Sequence, residues 1–280
     1  MRDRRMHRWL AGLGCALVAT AAIASEPELT VTIGGRTQAH TLAALLAHPA
    51  AASITIAQDV AYKRPMTYRA VPAAALLEGI APAASVRFAA GDGFAVTLPA
   101  QALLADGDRV PRAYVALEPP DAPWPPLKPG NPASAGPFYL VWAHAERAPI
   151  VPEQWAYQVA RIEETQPLAQ RFPAIVPPPG LANDASVKRG FAGAVKHCLV
   201  CHTLNLGGDG SLGPDLNVPY NPTEYLRADA LRRLVRNPQS LRRWPAAKMP
   251  GFDTSVLSDR ELNDIFAYLR YMANKKVPVK

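Results

Sequence analysis

The chain has 280 residues, enough for two domains that each bury their own core. A hydrophobic share of 49% beside 19% charged residues marks a soluble globular protein, and 29 prolines argue for long irregular connections rather than continuous helix. The formal charge of +7 falls to +4 once residues 1–24 are set aside, with 26 basic and 22 acidic residues left, an excess too small to point to nucleic acid.

Taken in chain order, Arg2, Arg4, Arg5 and Arg8 precede an apolar run from Trp9 to Ile23, and Ala22-Ile23-Ala24 offers a small-residue cleavage pattern. Residues 1–24 therefore read as a cleaved signal peptide that sends the protein to the periplasm with no stable membrane anchor. Residues 25–171 read as an α+β domain. Leu29, Val31 and Ile33 alternate before Gly34-Gly35, a pair suited to a hairpin turn, and a short helix through Leu42 to Leu46 follows. Strands are predicted at Ser53 to Ala57, Met66 to Val71, Val86 to Ala90, Phe94 to Leu98, Ala113 to Leu117, Phe138 to Trp142 and Tyr157 to Ile162. Pro72 and Pro99 are placed in the first turn of short helices. A long proline-rich loop runs from Pro119 to Pro137.

Residues 172–183 form a proline-rich linker, since consecutive prolines can continue neither a helix nor a ladder. The excess of positive charge lies wholly beyond it: 11 basic and 13 acidic residues from Ser25 to Gly180, against 15 and 9 from Leu181 to Lys280. Residues 184–280 read as an all-α domain with helices at Ala185 to Cys198, Ala228 to Arg236 and from Ser258 to Met272. The last has a capping-box spacing at Ser258 and Glu261, then an apolar face of Leu262, Ile265, Phe266, Leu269 and Met272.

Only Cys198 and Cys201 survive removal of the leader. Cys198-Leu199-Val200-Cys201-His202 is the pattern of covalent haem c attachment, in which two thiols on one turn reach the porphyrin and the adjacent His202 is held at the iron. The alternatives are a thioredoxin-like redox pair or half of a zinc site. Against zinc, the chain has no second cysteine pair. Against the redox pair, the motif ends in histidine, lies outside any strand-helix-strand pattern and follows an export signal. For the sixth ligand the candidates are Met249, Met272 and His197. His197 abuts Cys198, and Met272 lies on a core stripe. Met249 is preferred, because Pro250 keeps its neighbour out of helical geometry and lets a loop present the thioether.

Gly190-Phe191, the Cys198–His202 motif, Gly213-Pro214-Asp215-Leu216, Asn237-Pro238, Lys248-Met249-Pro250, Ser258-Asp259 and Ala267-Tyr268-Leu269 together resemble class I cytochrome c over Asp184 to Asn274. The resemblance implies one covalently bound haem, iron ligation by His202 and Met249, a Pro214 carbonyl on the His202 imidazole, and packing of Gly190 and Phe191 near Tyr268. It also implies one-electron transfer. Arg232, Arg233, Arg236, Arg242, Arg243 and Lys248 lead up to the methionine loop. They are either a rim that steers an acidic redox partner or a solvated face that also neutralises haem propionates.

Pro65-Met66-Thr67-Tyr68-Arg69-Ala70-Val71-Pro72, Val86-Arg87-Phe88 and Asp92-Gly93-Phe94 resemble the sulfite-oxidase-type molybdopterin-binding fold. Members of that family bind molybdenum through a cysteine thiolate, which would fall shortly after the strand at Ser53 to Ala57. No cysteine stands there, so the domain reads as a degenerate, cofactor-free relative without molybdopterin, used to dock a dehydrogenase or oxidase. His40, His48 and His144 read as isolated surface or hydrogen-bonding residues. The reading is an electron carrier rather than a catalyst. The alternatives are a haem-linked, sulfite-dehydrogenase-like oxidoreductase subunit with an active first domain, and a haem sensor with an open sixth position.

Overall fold

In the computed structural model the described residues are 26–181, 185–244 and 247–278. The leader at residues 1–24 and the end of the linker lie outside them.

Among the described residues nine strands form two sheets. The five-stranded sheet runs β2-β1-β9-β5-β6, built from β1 (Glu28–Ile33), β2 (Arg36–Thr41), β5 (Ser85–Ala90), β6 (Ala95–Pro99) and β9 (Val159–Thr165). The four-stranded sheet runs β3-β4-β7-β8 and takes β3 (Ala52–Ile56), β4 (Met66–Pro72), β7 (Arg112–Leu117) and β8 (Phe138–Ala143). Every pairing is antiparallel except β1 with β9. Gly34 and Gly35 take positive φ, +57° and +72°, as the two-residue β1–β2 turn demands. Short helices α1 (Leu42–Leu46), α2 (Ala73–Leu76) and α3 (Ala100–Leu103) follow strands, and Pro72 and Pro99 end the strands before α2 and α3 instead of starting the helices. The last strand begins two residues later than its composition suggests. Gln158 sits at φ +50° and Tyr157 turns onto Tyr139, so the ladder starts only at Val159. Leu29, Phe88, Val115, Leu140 and Trp142 are fully buried in one core shared by both sheets.

The chain then passes through α4 (Leu168–Arg171) into helical structure: α5 (Ser186–His197), α6 (Pro222–Tyr225), α7 (Ala228–Arg236) and α8 (Asp259–Ala273). The Ser258 hydroxyl accepts from Glu261 N at 3.2 Å and Glu261 Oε2 accepts from Ser258 N at 3.1 Å, so the capping box closes at the start of α8. The predicted face of α8 is buried, Met272 included, and packs along α5. The proline-rich segment is held against this half. Ile175 is fully buried, and the Tyr268 hydroxyl donates to its carbonyl at 2.7 Å. Among the described residues no helix is long and apolar enough to cross a membrane.

The two halves meet at the free edge of β6. Ala95 N donates to Val200 O at 3.0 Å, and Gly93 O accepts from Ser211 N at 2.8 Å, so the turn through the cysteine pair covers a sheet edge that would otherwise stand open.

Candidate functional site

Helix α5 ends at His197, and the chain makes one more turn over the motif, with Cys201 N and His202 N donating to Cys198 O at 3.1 and 2.9 Å. That turn points the two thiols in different directions. Cys198 packs on the helical core, Cys201 on the core of the sheets, and neither is in a disulfide. Burial pushes the Cys198 thiol up to about 12 and the Cys201 thiol up to about 11, helped by Glu153 at both and by Asp92 at Cys201. A dithiol redox pair needs a lowered thiol pKa, which is the opposite of what this environment gives.

The imidazole of His202 is placed by the loop that follows. Its Nδ1 lies 2.7 Å from the Pro214 carbonyl oxygen, which can only accept, so Nδ1 carries the proton and Nε2 keeps its lone pair for a metal. Burial lowers the pKa of this ring, outweighing the Pro214 bond and the charge of Asp215 that would raise it. Gly213 lies flat against the ring. A Cβ there would come within 2.5 Å of Nδ1 and 2.8 Å of Nε2, so no other residue lets the loop approach this closely. The structure thus brings Cys198, Cys201, His202 and Pro214 together, with chemistry that fits a covalently tethered haem.

Of the three sixth-ligand candidates, Met272 is 2% exposed in the face of α8. His197 turns toward the sheets: its side chain is fully buried, with Nδ1 3.1 Å from Glu153 Oε2 and the ring edge-on to Phe252. Met249 is half-buried on a loop, with its side chain against the helical core. That loop is tied down by Phe252 N donating to Val235 O at 3.0 Å and by Arg236, which donates to the carbonyls of Phe252 and Leu257 at 2.8 and 2.6 Å.

The six basic residues before the methionine loop differ in what holds them. Arg236 is committed to those carbonyls and to Asp259, Arg232 to Asp259 and Asn263, and Arg233 to Ser240 O. Lys248 reaches Asp92 at 3.5 Å. Arg242 and Arg243 are exposed beside Trp244, 55% exposed, with the Arg242 guanidinium 5.6 Å from the indole centroid.

Sequence reasoning missed two arrangements. Asn205, Asn217 and Asn221 form a buried amide ladder to the carbonyls of Met272, Leu269 and Lys275. Their spacing, with Asn221 four positions after Asn217 and both after a Gly-Pro-Asp turn, was the available signal. Asp209 accepts from Arg171 and Thr97 and pairs with the charge of Arg87 across the junction of the halves, and it has no comparable signal. After β3, where the molybdopterin resemblance would call for a cysteine, Asp59 is buried and accepts from Tyr68 Oη at 2.9 Å and Tyr62 N at 2.8 Å. Among the described residues no three His, Cys, Asp or Glu side chains gather as a metal site, and His40, His48 and His144 stand without one.

Residues 185–269 match the family described as cytochrome c oxidase, cbb3-type, subunit III. The chain is also 30% identical over 109 residues to cytochrome c2 of Agrobacterium tumefaciens (strain II Chrys), covering 97% of that protein and 33% of this one. This chain belongs to the c-type cytochromes. The cytochrome binds haem c covalently and carries electrons. Its helical half holds the cytochrome c part at residues 185–269, and the sheets come before that part.

Proposed function

We propose that this cytochrome is an exported monohaem carrier in which Cys198 and Cys201 would hold the haem by thioether bonds and His202 and Met249 would be the protein ligands of its iron. When bound, haem c supplies one iron centre that takes up and gives back a single electron. The other work falls to the protein. Pro214 fixes the His202 tautomer, Gly213 fixes the ring's position, and the anchored loop of Phe252 and Arg236 holds Met249 in place with little reorganisation between redox states. The single observation that carries the reading is the 2.7 Å Nδ1 to Pro214 bond, which leaves Nε2 as a free donor atom one residue from Cys201.

We further infer a leader at 1–24 cleaved on export to the periplasm, a sheet domain at 25–171 of sulfite-oxidase-like fold without its metal-ligating cysteine, a linker at 172–183 and the haem domain at 184–280. The sheet domain serves docking or recognition of a dehydrogenase or oxidase. Exposed Arg242 and Arg243 stand beside Trp244, a combination enriched at interfaces, and present positive charge to an acidic redox partner.

The test is expression in a host with working cytochrome maturation. The mature chain emerges red, heavier than its polypeptide by one haem, and Cys198→Ala with Cys201→Ala loses both properties. Met249→Ala opens the sixth position, so the reduced protein binds carbon monoxide rapidly where the parent does not. A colourless parent at bare peptide mass overturns the reading.

A further inference from the structure

Two carboxylates of the sheet domain reach the haem motif. Glu153 Oε2 lies 3.1 Å from Nδ1 of His197, the residue before Cys198, and the Glu153 side chain is only 10% exposed. Asp92 stands in the turn between β5 and β6, where the next residue, Gly93, accepts from Ser211 N behind the motif, and Asp92 Oδ2 is 3.5 Å from Lys248 Nζ beside Met249. This turn therefore bridges the attachment loop and the methionine loop.

The two carboxylates differ in how their charge is offset. Lys248 opposes Asp92, whose side chain is 40% exposed. At Glu153 the facing group is the His197 ring, with Nδ1 3.1 Å away and a buried Nε2 that has no hydrogen-bond partner, so this carboxylate sits in a drier place than Asp92. Both carboxylates lie close enough to the motif to push its thiols up, Glu153 at Cys198 and Cys201 and Asp92 at Cys201.

A ferric centre carries one more positive charge than a ferrous one, so a fixed negative charge nearby favours the oxidised state, and more strongly where water is excluded. We propose that Glu153 and Asp92 are potential-setting residues, through which the sheet domain holds the reduction potential of the haem below the value the helical half would have alone. This rests on haem attachment at Cys198 and Cys201, and it gives the sheet domain a task at the iron as well as at a partner.

The experiment is potentiometric titration of the full-length, haem-loaded protein against Glu153→Gln, Asp92→Asn and the double variant, with mass and absorption spectra on each sample. Gln and Asn keep shape and hydrogen bonding while removing charge. The midpoint moves positive in both single variants and further in the double. The Glu153→Gln shift persists at high salt because the site is buried, whereas the Asp92→Asn shift shrinks because solvent ions reach it. Glu153→Asp, which keeps the charge, moves the midpoint less than Glu153→Gln. A loaded parent whose potential ignores both substitutions, with ferric and ferrous spectra unchanged, overturns this proposal alone. A parent without haem overturns the attachment reading and this proposal with it.

Discussion

Gly213 is the residue on which the position of the His202 ring turns. A methyl group there would overlap the imidazole, and overpacking of this kind costs about 1–3 kcal/mol when neighbours cannot yield. Gly213→Ala should lower the denaturation midpoint and disturb the ferric absorption spectrum. Pro214→Ala should disturb the spectrum much less, because the atom that accepts from His202 is a backbone oxygen that any residue supplies. The motif was legible in the sequence because it is local, a spacing of two between thiols, and the Pro214 contact was implied by the resemblance to class I cytochrome c. The amide ladder was not, since an isolated asparagine reads as a surface residue. Asn217 is fully buried, donating to Asn205 Oδ1 at 2.7 Å and Met272 O at 2.8 Å and accepting from Asn221 Nδ2 at 2.8 Å. Asn217→Ala leaves buried polar atoms short of a partner, at roughly 1–3 kcal/mol each where water cannot replace it. Urea denaturation should show a loss of about 3 kcal/mol, a large share of a normal domain's stability.

At the scale of elements, the crossing of α5 and α8 makes a sharper comparison. Two glycines of α5 face α8, and helix propensity alone would favour alanine at both by about 1 kcal/mol. Their surroundings differ. A Cβ on Gly190 would overlap the backbone carbonyl of Asp264, which cannot move without unwinding α8, and would also press on Tyr268. On Gly193 it would meet only the Ile265 side chain, at 3.0 and 3.1 Å, and that side chain can shift. Gly190→Ala should therefore destabilise by about 2 kcal/mol while Gly193→Ala stays within about 0.5 kcal/mol of the parent, both measured by chemical denaturation. The apolar period of α8 and its capping box were readable because helix geometry fixes them within the segment. What the period did not reveal is Asp264, 7% exposed inside that face, where Arg189 donates to its carboxylate at 2.7 and 3.0 Å. A carboxylate in a core stripe makes sense only once its partner helix is in place.

For the whole molecule the decisive group is Asp209, whose partners stand 38 to 122 residues away in the chain and so could not be inferred from local pattern. Its carboxylate, 5% exposed, takes a bidentate pair from Arg171 at 2.7 and 2.6 Å and the Thr97 hydroxyl at 2.6 Å, and forms an ion pair with Arg87, whose Nε is 3.2 Å away. Burial alone would raise the Asp209 pKa, but the bonds from Arg171 and Thr97 and the charge of Arg87 outweigh it and hold the carboxyl below its usual value. A carboxyl whose pKa is lowered by folding stabilises the native state above the unfolded value of about 4, and that contribution disappears as pH falls through the lower native value. Asp209→Asn should cost about 2 kcal/mol at neutral pH. The figure is less than for a fully buried pair, because Arg171 and Arg87 keep roughly a fifth of their side chains in water. The gap between variant and parent should close in urea titrations below about pH 4. Because the same carboxylate joins β5, β6 and α4 to the loop behind the haem motif, its loss should also change the form of unfolding. The parent should melt in one transition seen alike in the far-ultraviolet signal and in haem absorbance, whereas Asp209→Asn should separate the two signals, the haem domain letting go of the sheets before either is fully unfolded.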